Sequence, residues 1–379
     1  MQHLPHDSQW MRLALELAAQ GQGRVEPNPL VGCVLVDPAT NQALGQGFHA
    51  RYGGAHAERA AIADAQTAGN SGRLAGCTAY VTLEPCCHHG KTPPCIDALL
   101  EIGVDRVVAA MLDPFDLVSG QGIARLAAAG VSTSVGVEGD LARELNAPYL
   151  KRLQRKRPWI IAKWAMSLDG RIATRTGDSQ WISCEASRRY VQELRGRVDA
   201  IVVGSGTALA DDPLLTARTS SPPPRVALRV VADSQLQISP TSQLVQTAGE
   251  TPVLLWAGPQ ASPTKVQQLR DLGCQVHVSN IDDANERLDA LLHALVAEHS
   301  ATNVLVEGGG RLLGSLLELR ELDQCEVFVS PKIIGGSQAI SPVLGLGIAT
   351  LAESPGYTSV RMESSGDDAH ISCRLMWPG

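Results

Sequence analysis

Residues 56–95 constrain the fold of this chain more than any other stretch. His56-Ala57-Glu58 is followed, about a helix and a strand later, by Thr82-Leu83-Glu84-Pro85-Cys86-Cys87-His88-His89-Gly90-Lys91-Thr92-Pro93-Pro94-Cys95. One imidazole, His56, and two thiolates, Cys86 and Cys95, make a three-ligand set for Zn²⁺. Three protein ligands leave a fourth position open, which separates catalytic from structural zinc. The metal lowers the pKa of water towards neutrality. Hydrolytic displacement of an amino group also needs a proton shuttle, and Glu58 is placed to be one. His-x-Glu followed by a cysteine pair is the signature of zinc deaminases, with the glutamate outside the ligand set. Residues i and i+2 of a regular helix point to nearly opposite sides, so His56 and Glu58 can share a site only at a helix's first turn. The spacing departs from the general form: eight residues separate Cys86 from Cys95. A closed structural site stays open as an alternative, because Cys86, Cys87, His88, His89 and Cys95 offer five possible ligands; it gives Glu58 no role.

The elements around this stretch alternate. Trp10, Leu13, Leu17 and Met11, Ala14, Ala18 fall at helical spacing over 8–20, and Gly21 and Gly23 end that helix. Strands are expected at 30–36, 43–48, 77–83, 104–110 and 131–137, with helices starting near His56 and at 95–103, 120–129 and 140–151. Pro93 and Pro94 suit the entry to the 95–103 helix and place Cys95 at its positive end, where a thiolate is favoured. Residues 146–158 are polar and basic and read as a solvated linker, dividing the chain into 1–150 and 157–379. Beyond it, strands are expected at 159–166, 200–204, 226–232, 252–256, 274–278 and 303–307, and a final pair at 325–329 and 370–376. Helices are expected at 183–195, 263–272, 285–298 and 311–319. Strands alternating with helices imply α/β sheets covered on both faces. Gly308-Gly309-Gly310, between a strand and a helix, suits a phosphate and equally a plain tight turn. No Gly-x-Gly-x-x-Gly follows a first strand, which argues against a Rossmann domain.

Charge and cysteine usage exclude several classes. With 39 acidic against 32 basic residues the net charge is −7, and no basic block is long enough for a nucleic-acid surface. No run approaches the ~18 apolar residues of a membrane span, and the first ten residues lack a signal-peptide core. Nine cysteines, an odd number scattered through apolar runs, read as reduced thiols of a cytoplasmic protein.

The ordered set His-Ala-Glu, Thr-Leu-Glu-Pro-Cys, His-His-Gly and Thr-Pro-Pro-Cys resembles the deaminase half of the bifunctional riboflavin-biosynthesis deaminase/reductase (RibD) family. Ser167-Leu-Asp-Gly-Arg171, Gly177-Asp-Ser-Gln-Trp-Ile182, the run from Gly206 to Arg218, Val230-Val-Ala-Asp-Ser234 and Val306-Glu-Gly-Gly-Gly310 occur in the order of the reductase half. The resemblance covers about residues 8–377. It implies an α/β chain: an N-terminal cytidine-deaminase-like three-layer domain and a C-terminal dihydrofolate-reductase-like domain that uses NADPH. It implies cofactor contacts at Ala165, Trp181, Thr207, Asp211 and Ser234, and along Gly309, Gly310, Arg311, Leu312, Leu313, Gly314 and Ser315. Substrate contacts are expected at Asn28, His49, His88 and Lys91 in the first half. In the second half they are expected at Lys163, Ser179, Arg195, Leu215, Arg218 and Glu307. The expected partner is a small pyrimidine ribose phosphate, acted on by a homo-oligomer without nucleic-acid or membrane partners. The chain departs from the family pattern in three places. Phe115-Asp116 follows Asp113-Pro114 where Asn-Pro is usual, Gln237 stands near a usual basic residue, and Cys87 replaces Ser. A second reading keeps only the reductase, with structural zinc in a decayed deaminase half.

Overall fold

Residues 4–88, 93–115 and 119–378 are described in the computed structural model. The chain divides into two compact units, Met1–Arg155 and Lys156–Gly379.

The first unit runs α1 (Asp7–Ala19), β1 (Gly32–Asp37), β2 (Gln42–Phe48), α2 (Ala57–Thr67), β3 (Thr78–Val81), α3 (Cys95–Glu101), β4 (Arg106–Ala109), α4 (Gln121–Ala128), β5 (Ser132–Val135), α5 (Gly139–Leu145) and α6 (Ala147–Arg155). Its sheet has the order β2-β1-β3-β4-β5, antiparallel at β2-β1-β3 and parallel from β3 to β5. Successive strand residues point to opposite faces, and this splits the core in two. Cys33, Leu35, Ala79, Val81 and Val107 pack with α2, α3 and α4, while Val34, Val36, Tyr80 and Val108 pack with α1 and α5. The result is a three-layer α/β/α unit. Across the second face, buried Asp7 binds both guanidinium nitrogens of Arg106 at 2.7 and 2.8 Å and accepts from the Tyr80 hydroxyl at 2.8 Å.

Glycine sets how close α2 comes to the sheet. A Cβ on Gly45 would lie 2.4 Å from the Ala61 carbonyl oxygen, and one on Gly47 would lie 2.4 Å from the Ala61 nitrogen. The helix that begins beside His56 therefore rests directly on the β2 backbone.

The second unit runs β6 (Trp159–Ser167), α7 (Glu185–Arg195), β7 (Ala200–Gly204), α8 (Ser205–Asp211), β8 (Leu228–Ala232), α9 (Gln243–Gln246), β9 (Val253–Ala257), α10 (Pro263–Asp271), β10 (Gln275–Val278), α11 (Ala284–Ala297), β11 (Asn303–Glu307), α12 (Gly310–Glu318), β12 (Gln324–Ser330), β13 (Gly356–Ser365) and β14 (Asp368–Met376). Its nine strands lie in the order β10-β9-β8-β7-β11-β6-β12-β14-β13. Pairing is parallel from β10 to β12 and antiparallel at β12-β14-β13. The core of one face joins alternate residues of β6, β7, β8, β9 and β11 to Leu288, Leu291, Leu292 and Leu295 of α11 and Leu312, Leu313 and Leu316 of α12.

Three expectations from sequence are corrected. The helix expected at 140–151 is two helices, because Asn146 turns its side chain to the Leu30 backbone, accepting from its N–H at 2.8 Å and donating to its carbonyl at 2.9 Å. The stretch read as a solvated linker is mostly α6, with Lys151 buried. β13 and α8 carry no expected counterpart; β13 is an outer strand, exposed along most of its length, without the alternation that marks a half-buried strand.

Since α2 carries the first-turn residues of the metal site, Gly47→Ala should push the helix off the sheet. We expect a destabilisation of about 1–3 kcal/mol and faster zinc loss to a chelator, followed with a colorimetric zinc indicator. Wild-type zinc retention would show that the close approach does not set the site.

Candidate active sites

In the first unit the site forms where helices begin. His56 is the extended N-cap residue of α2 and Glu58 lies in its first turn, buried. Cys95 is the first residue of α3, and Cys86 lies in the loop after β3. His56 Nδ1 is 3.6 Å from Cys86 Sγ and 3.3 Å from Cys95 Sγ, and the Cys95 N–H donates to Cys86 Sγ at 3.3 Å. Among the described residues these three form the group able to hold a metal ion, their ligand atoms within 4.8 Å of one another. One nitrogen and two sulfurs fit zinc, and the fourth position is not filled by a further side chain among the described residues.

The electrostatics follow from crowding. A hydrogen bond from Cys95, and then the His56 ring, bring the Cys86 thiol down to about 4; the same bond, with burial, pushes Cys95 up. Its hydrogen bond with Cys86 holds the His56 ring above its ordinary value. Burial, and then the Cys86 sulfur, raise the Glu58 carboxyl.

Glu84 fixes the loop that presents Cys86. Its buried carboxylate accepts from the backbone N–H groups of Asp113, Gly120, Gly122 and Ile123 at 2.9–3.2 Å. It thereby ties the cysteine loop to the start of α4, whose first N–H groups lack helical partners. A side chain on Gly122 would meet the Pro85 carbonyl at 2.2 Å. Sequence reasoning gave Glu84 no role, although its place inside Thr-Leu-Glu-Pro-Cys was a usable signal.

Of the expected substrate contacts here, Asn28 and His49 pair at 3.2 Å, and buried His49 lies edge-on to His56 at 5.4 Å between ring centroids. Burial lowers the His49 pKa, which favours the neutral ring. His88 lies beside Phe115, 6.1 Å between centroids, with Nδ1 buried and unpartnered. Lys91 and His89 lie outside the described residues. Cys87 is buried in the core packed on α2 and α3 and is not in the metal group.

The second unit has a cleft of about 1000 Å³. Parallel pairing sets Glu307 of β11 beside Lys163 of β6. Arg195, from the last turn of α7, grips Glu307 with two bonds, 2.5 Å from Nε and 2.9 Å from Nη2, and Lys163 Nζ lies 3.7 Å away. Burial alone would raise the Glu307 carboxyl, but the two cations bring it to about 2. Burial lowers Lys163, against the pull of Glu307, and raises Asp211, against Lys163.

The cleft also gathers Ala165, Ser179, Trp181, Thr207, Leu215, Arg218 and Ser234, together with Gly309, Gly310, Arg311, Leu312 and Ser315. It does not include Leu313 and Gly314. Leu313 points into the core, and Gly314 packs on the Leu344 backbone, where a Cβ would come within 1.9 Å of the carbonyl oxygen. Trp181 is 62% exposed, so it is no core anchor; it stacks under the Arg188 guanidinium at 4.8 Å. Gly308 and Gly309 take φ of +70° and +82°, the region that favours glycine, and lead into α12, whose N-terminus has no side-chain cap. That cradle, the cleft volume and the nearby cations fit a phosphate-bearing dinucleotide. Arg188, Gln192 and Arg287 also line the cleft and were not singled out from sequence. Arg287 stands four residues before Leu291 on the apolar face of α11, a charged residue at a buried position.

Comparison with known proteins agrees with both halves. The cytidine and deoxycytidylate deaminase zinc-binding region matches residues 4–111, and the RibD C-terminal domain matches residues 158–371. The riboflavin biosynthesis protein RibD of Actinobacillus pleuropneumoniae is 40% identical over 372 residues, 98% of this chain and 96% of that protein. That of Escherichia coli is 38% identical, over 96% of this chain and 97% of its own. The solved RibD structure from Acinetobacter baumannii (form 1) superposes with a TM-score of 0.84 at 32% identity, over 99% of this chain and 100% of that one.

His56→Ala and Cys95→Ser should each lose the metal group's third ligand. We expect purified protein without stoichiometric zinc by atomic absorption, and a destabilised first unit by hydrogen exchange at β3 and α2. Full occupancy in either variant would place the ion on other ligands.

Proposed function

The chain belongs to the RibD family and is a bifunctional deaminase and reductase of riboflavin biosynthesis; we propose which residues carry each step and what they act on. The substrate is a 2,5-diamino-6-ribosylamino-4(3H)-pyrimidinone 5′-phosphate. A solved relative from Thermotoga maritima, 32% identical, bears the name diaminohydroxyphosphoribosylaminopyrimidine deaminase/5-amino-6-(5-phosphoribosylamino)uracil reductase. We place the deaminase half at 1–150 and the reductase half at 157–379.

The observation that carries the first half is the meeting of His56, Cys86 and Cys95 with buried Glu58. Zinc held by His56, Cys86 and Cys95 would supply a water of lowered pKa. Glu58 would be the proton shuttle of the hydrolysis, taking a proton from water and handing one to the nitrogen that leaves as ammonia. Burial and the Cys86 sulfur raise its pKa, the direction that a proton shuttle needs. Asn28 and neutral His49 orient the ring, and His88 and Lys91 contact the same ligand. With ligands and shuttle all in place, the reductase-only alternative has no observation in its favour.

In the second half the residues that would hold NADPH are Ala165, Trp181, Thr207, Asp211, Ser234, Gly309, Gly310, Arg311, Leu312 and Ser315, all of which line the cleft. Bound there, it supplies the hydride that turns the ribosyl group into a ribityl chain. Lys163, with its lowered pKa, supplies the accompanying proton. Glu307 stays ionised, holds Lys163 and Arg195, and accepts from a sugar hydroxyl. Arg218 takes the 5′-phosphate with its fixed donor fork; Ser179 and Leu215 complete the substrate wall. The protein works as a homo-oligomer: the outer strand β13 leaves Tyr357 and Met362 about 70% exposed, an apolar edge of the kind that pairs with another copy. No helix among the described residues is long and apolar enough to cross a membrane, in keeping with action in the cytoplasm.

Glu58→Gln should keep zinc and lower ammonia release about 10²–10⁴-fold, while reduction of pre-deaminated substrate, followed by NADPH absorbance, continues. Undiminished ammonia release would remove Glu58 from the mechanism. Zinc chelation should separate the activities in the same way. If a chelator stopped both equally while circular dichroism stayed unchanged, the two halves would not be independent.

A further inference from the structure

We propose that Arg287 is the residue that selects a 2′-phosphorylated dinucleotide in the second-unit cleft. The inference rests on the reading that this cleft takes a nicotinamide dinucleotide.

The end of the cleft beyond β8 carries the argument. In Rossmann sheets, whose glycine fingerprint this chain lacks, a residue past a strand end reads the cofactor's adenosine ribose, and the chemistry of that choice holds at any strand-end ribose site. A carboxylate there binds the free 2′-hydroxyl, whereas an arginine accommodates a 2′-phosphate. Here the carboxylate is present but withdrawn. Asp233, directly after β8, is 1% exposed, accepts from the Ile238 N–H at 2.8 Å, and does not line the cleft. Its neighbour Ser234 does line it, and so does Arg287 from the first turn of α11.

Several contacts fix the guanidinium. Nη1 donates to the carbonyls of Ile281 and Asp282 at 2.8 and 2.9 Å, and Nη2 donates to Ser234 Oγ at 2.5 Å. The backbone carbonyl of Arg287 accepts from the Trp256 indole at 3.1 Å. Gly258 leaves room for the group; a Cβ there would stand 3.3 Å from Nη1 and 3.4 Å from Cζ. Nη1 has both hydrogens engaged, whereas Nη2, beside the Ser234 hydroxyl, keeps a second hydrogen for a ligand. The other polar side chains at this end, Gln237 and Gln243, carry no charge. Asp212, a lining carboxylate bonded to Gln243, already accepts from its N–H at 2.9 Å. Of the cleft's other cations, Lys163 and Arg195 are committed to Glu307 and Arg188 to the Trp181 ring, while Arg311 belongs to the start of α12 and Arg218 to the stretch after α8. Arg287 is the one bonded to Ser234, just past β8, and a pre-organised guanidinium is the side chain suited to a dianionic 2′-phosphate. Gln237 then has no need to be basic.

The bland alternative is that Arg287 only clamps the 281–283 turn. Affinity for two nucleotides separates the two roles, because a clamp affects both alike. Full-length protein is titrated calorimetrically with NADP⁺ and with NAD⁺. Wild type should bind NADP⁺ more tightly. Arg287→Gln should weaken NADP⁺ about ten- to a hundredfold, the loss of one or two hydrogen bonds to a charged group, and leave NAD⁺ within about twofold. Arg287→Lys keeps a charge but loses the planar donor fork, and should likewise weaken NADP⁺ relative to NAD⁺; it decides the matter if Arg287→Gln does not fold. Parallel weakening of both nucleotides, an unchanged ratio, or a wild-type preference for NAD⁺ overturns the proposal and leaves the cofactor reading standing. Wild-type protein that binds neither nucleotide overturns the cofactor reading, and the proposal with it.

Discussion

Where a strand ends and a helix begins, the first helical N–H groups have no partner within the helix, and both sites are built from that shortage. In the first unit three donors at the start of α4, joined by the Asp113 N–H, converge on one buried carboxylate, Glu84, which pins the loop that carries Cys86. Cys95 sits at the start of α3 and His56 caps α2, so all three metal ligands lie at or beside chain segments with few conformational choices. In the second unit α12 begins without a side-chain cap, after a glycine turn that opens on the cleft. One end is closed internally to build a rigid metal site; the other is left for an anion.

The helix that carries much of the second cleft is held from its far side. Arg188, Gln192 and Arg195 of α7 line the cleft. At the N-terminus of the same helix, buried Asp368 accepts from the Cys184 N–H at 2.8 Å and from the Ser187 hydroxyl at 2.6 Å. Midway along, the Tyr190 ring lies 4.6 Å from the His370 ring, which is stacked on Phe328 and bonded to Glu326 at 2.6 Å. The β12-β14-β13 portion of the sheet, which contributes little to the cleft itself, thus fixes α7 at two levels. This is why an outer hairpin with an exposed face still has a buried polar seam.

The parts legible in the sequence were those whose signal is local. A metal ligand set must be written in residue types, and the Pro93-Pro94-Cys95 and glycine punctuation marks helix boundaries whatever surrounds them. The break at Asn146 was not legible, because it depends on hydrogen bonds to Leu30, 116 residues away in the chain. β13 escaped because an exposed outer strand has no hydrophobic alternation to display. The misplacement of Leu313 and Gly314 was avoidable. Once α12 is a helix, a contiguous run from Gly309 cannot all face one ligand: Arg311, Leu312 and Ser315 turn to the cleft, while Leu313 and Leu316 turn to the core.

The two glutamates at the centres of the sites show how position sets chemistry. Glu58 and Glu307 are both buried carboxylates, and burial disfavours the charge of each. Around Glu58 the cationic partner is weak: the His56 ring offers some relief, while the Cys86 sulfur adds repulsion, so its pKa rises. Around Glu307 a guanidinium bonds twice and an ammonium lies beside it, and the same burial is outweighed. A carboxyl held at about 2 does not exchange protons at neutral pH. In the mechanism proposed here it serves as a fixed anion, and the proton-transfer role falls to Lys163, whose burial pushes it in the opposite direction. The two roles proposed for glutamate, proton shuttle and electrostatic anchor, are thus told apart by the charges within reach and not by burial, which the two have in common.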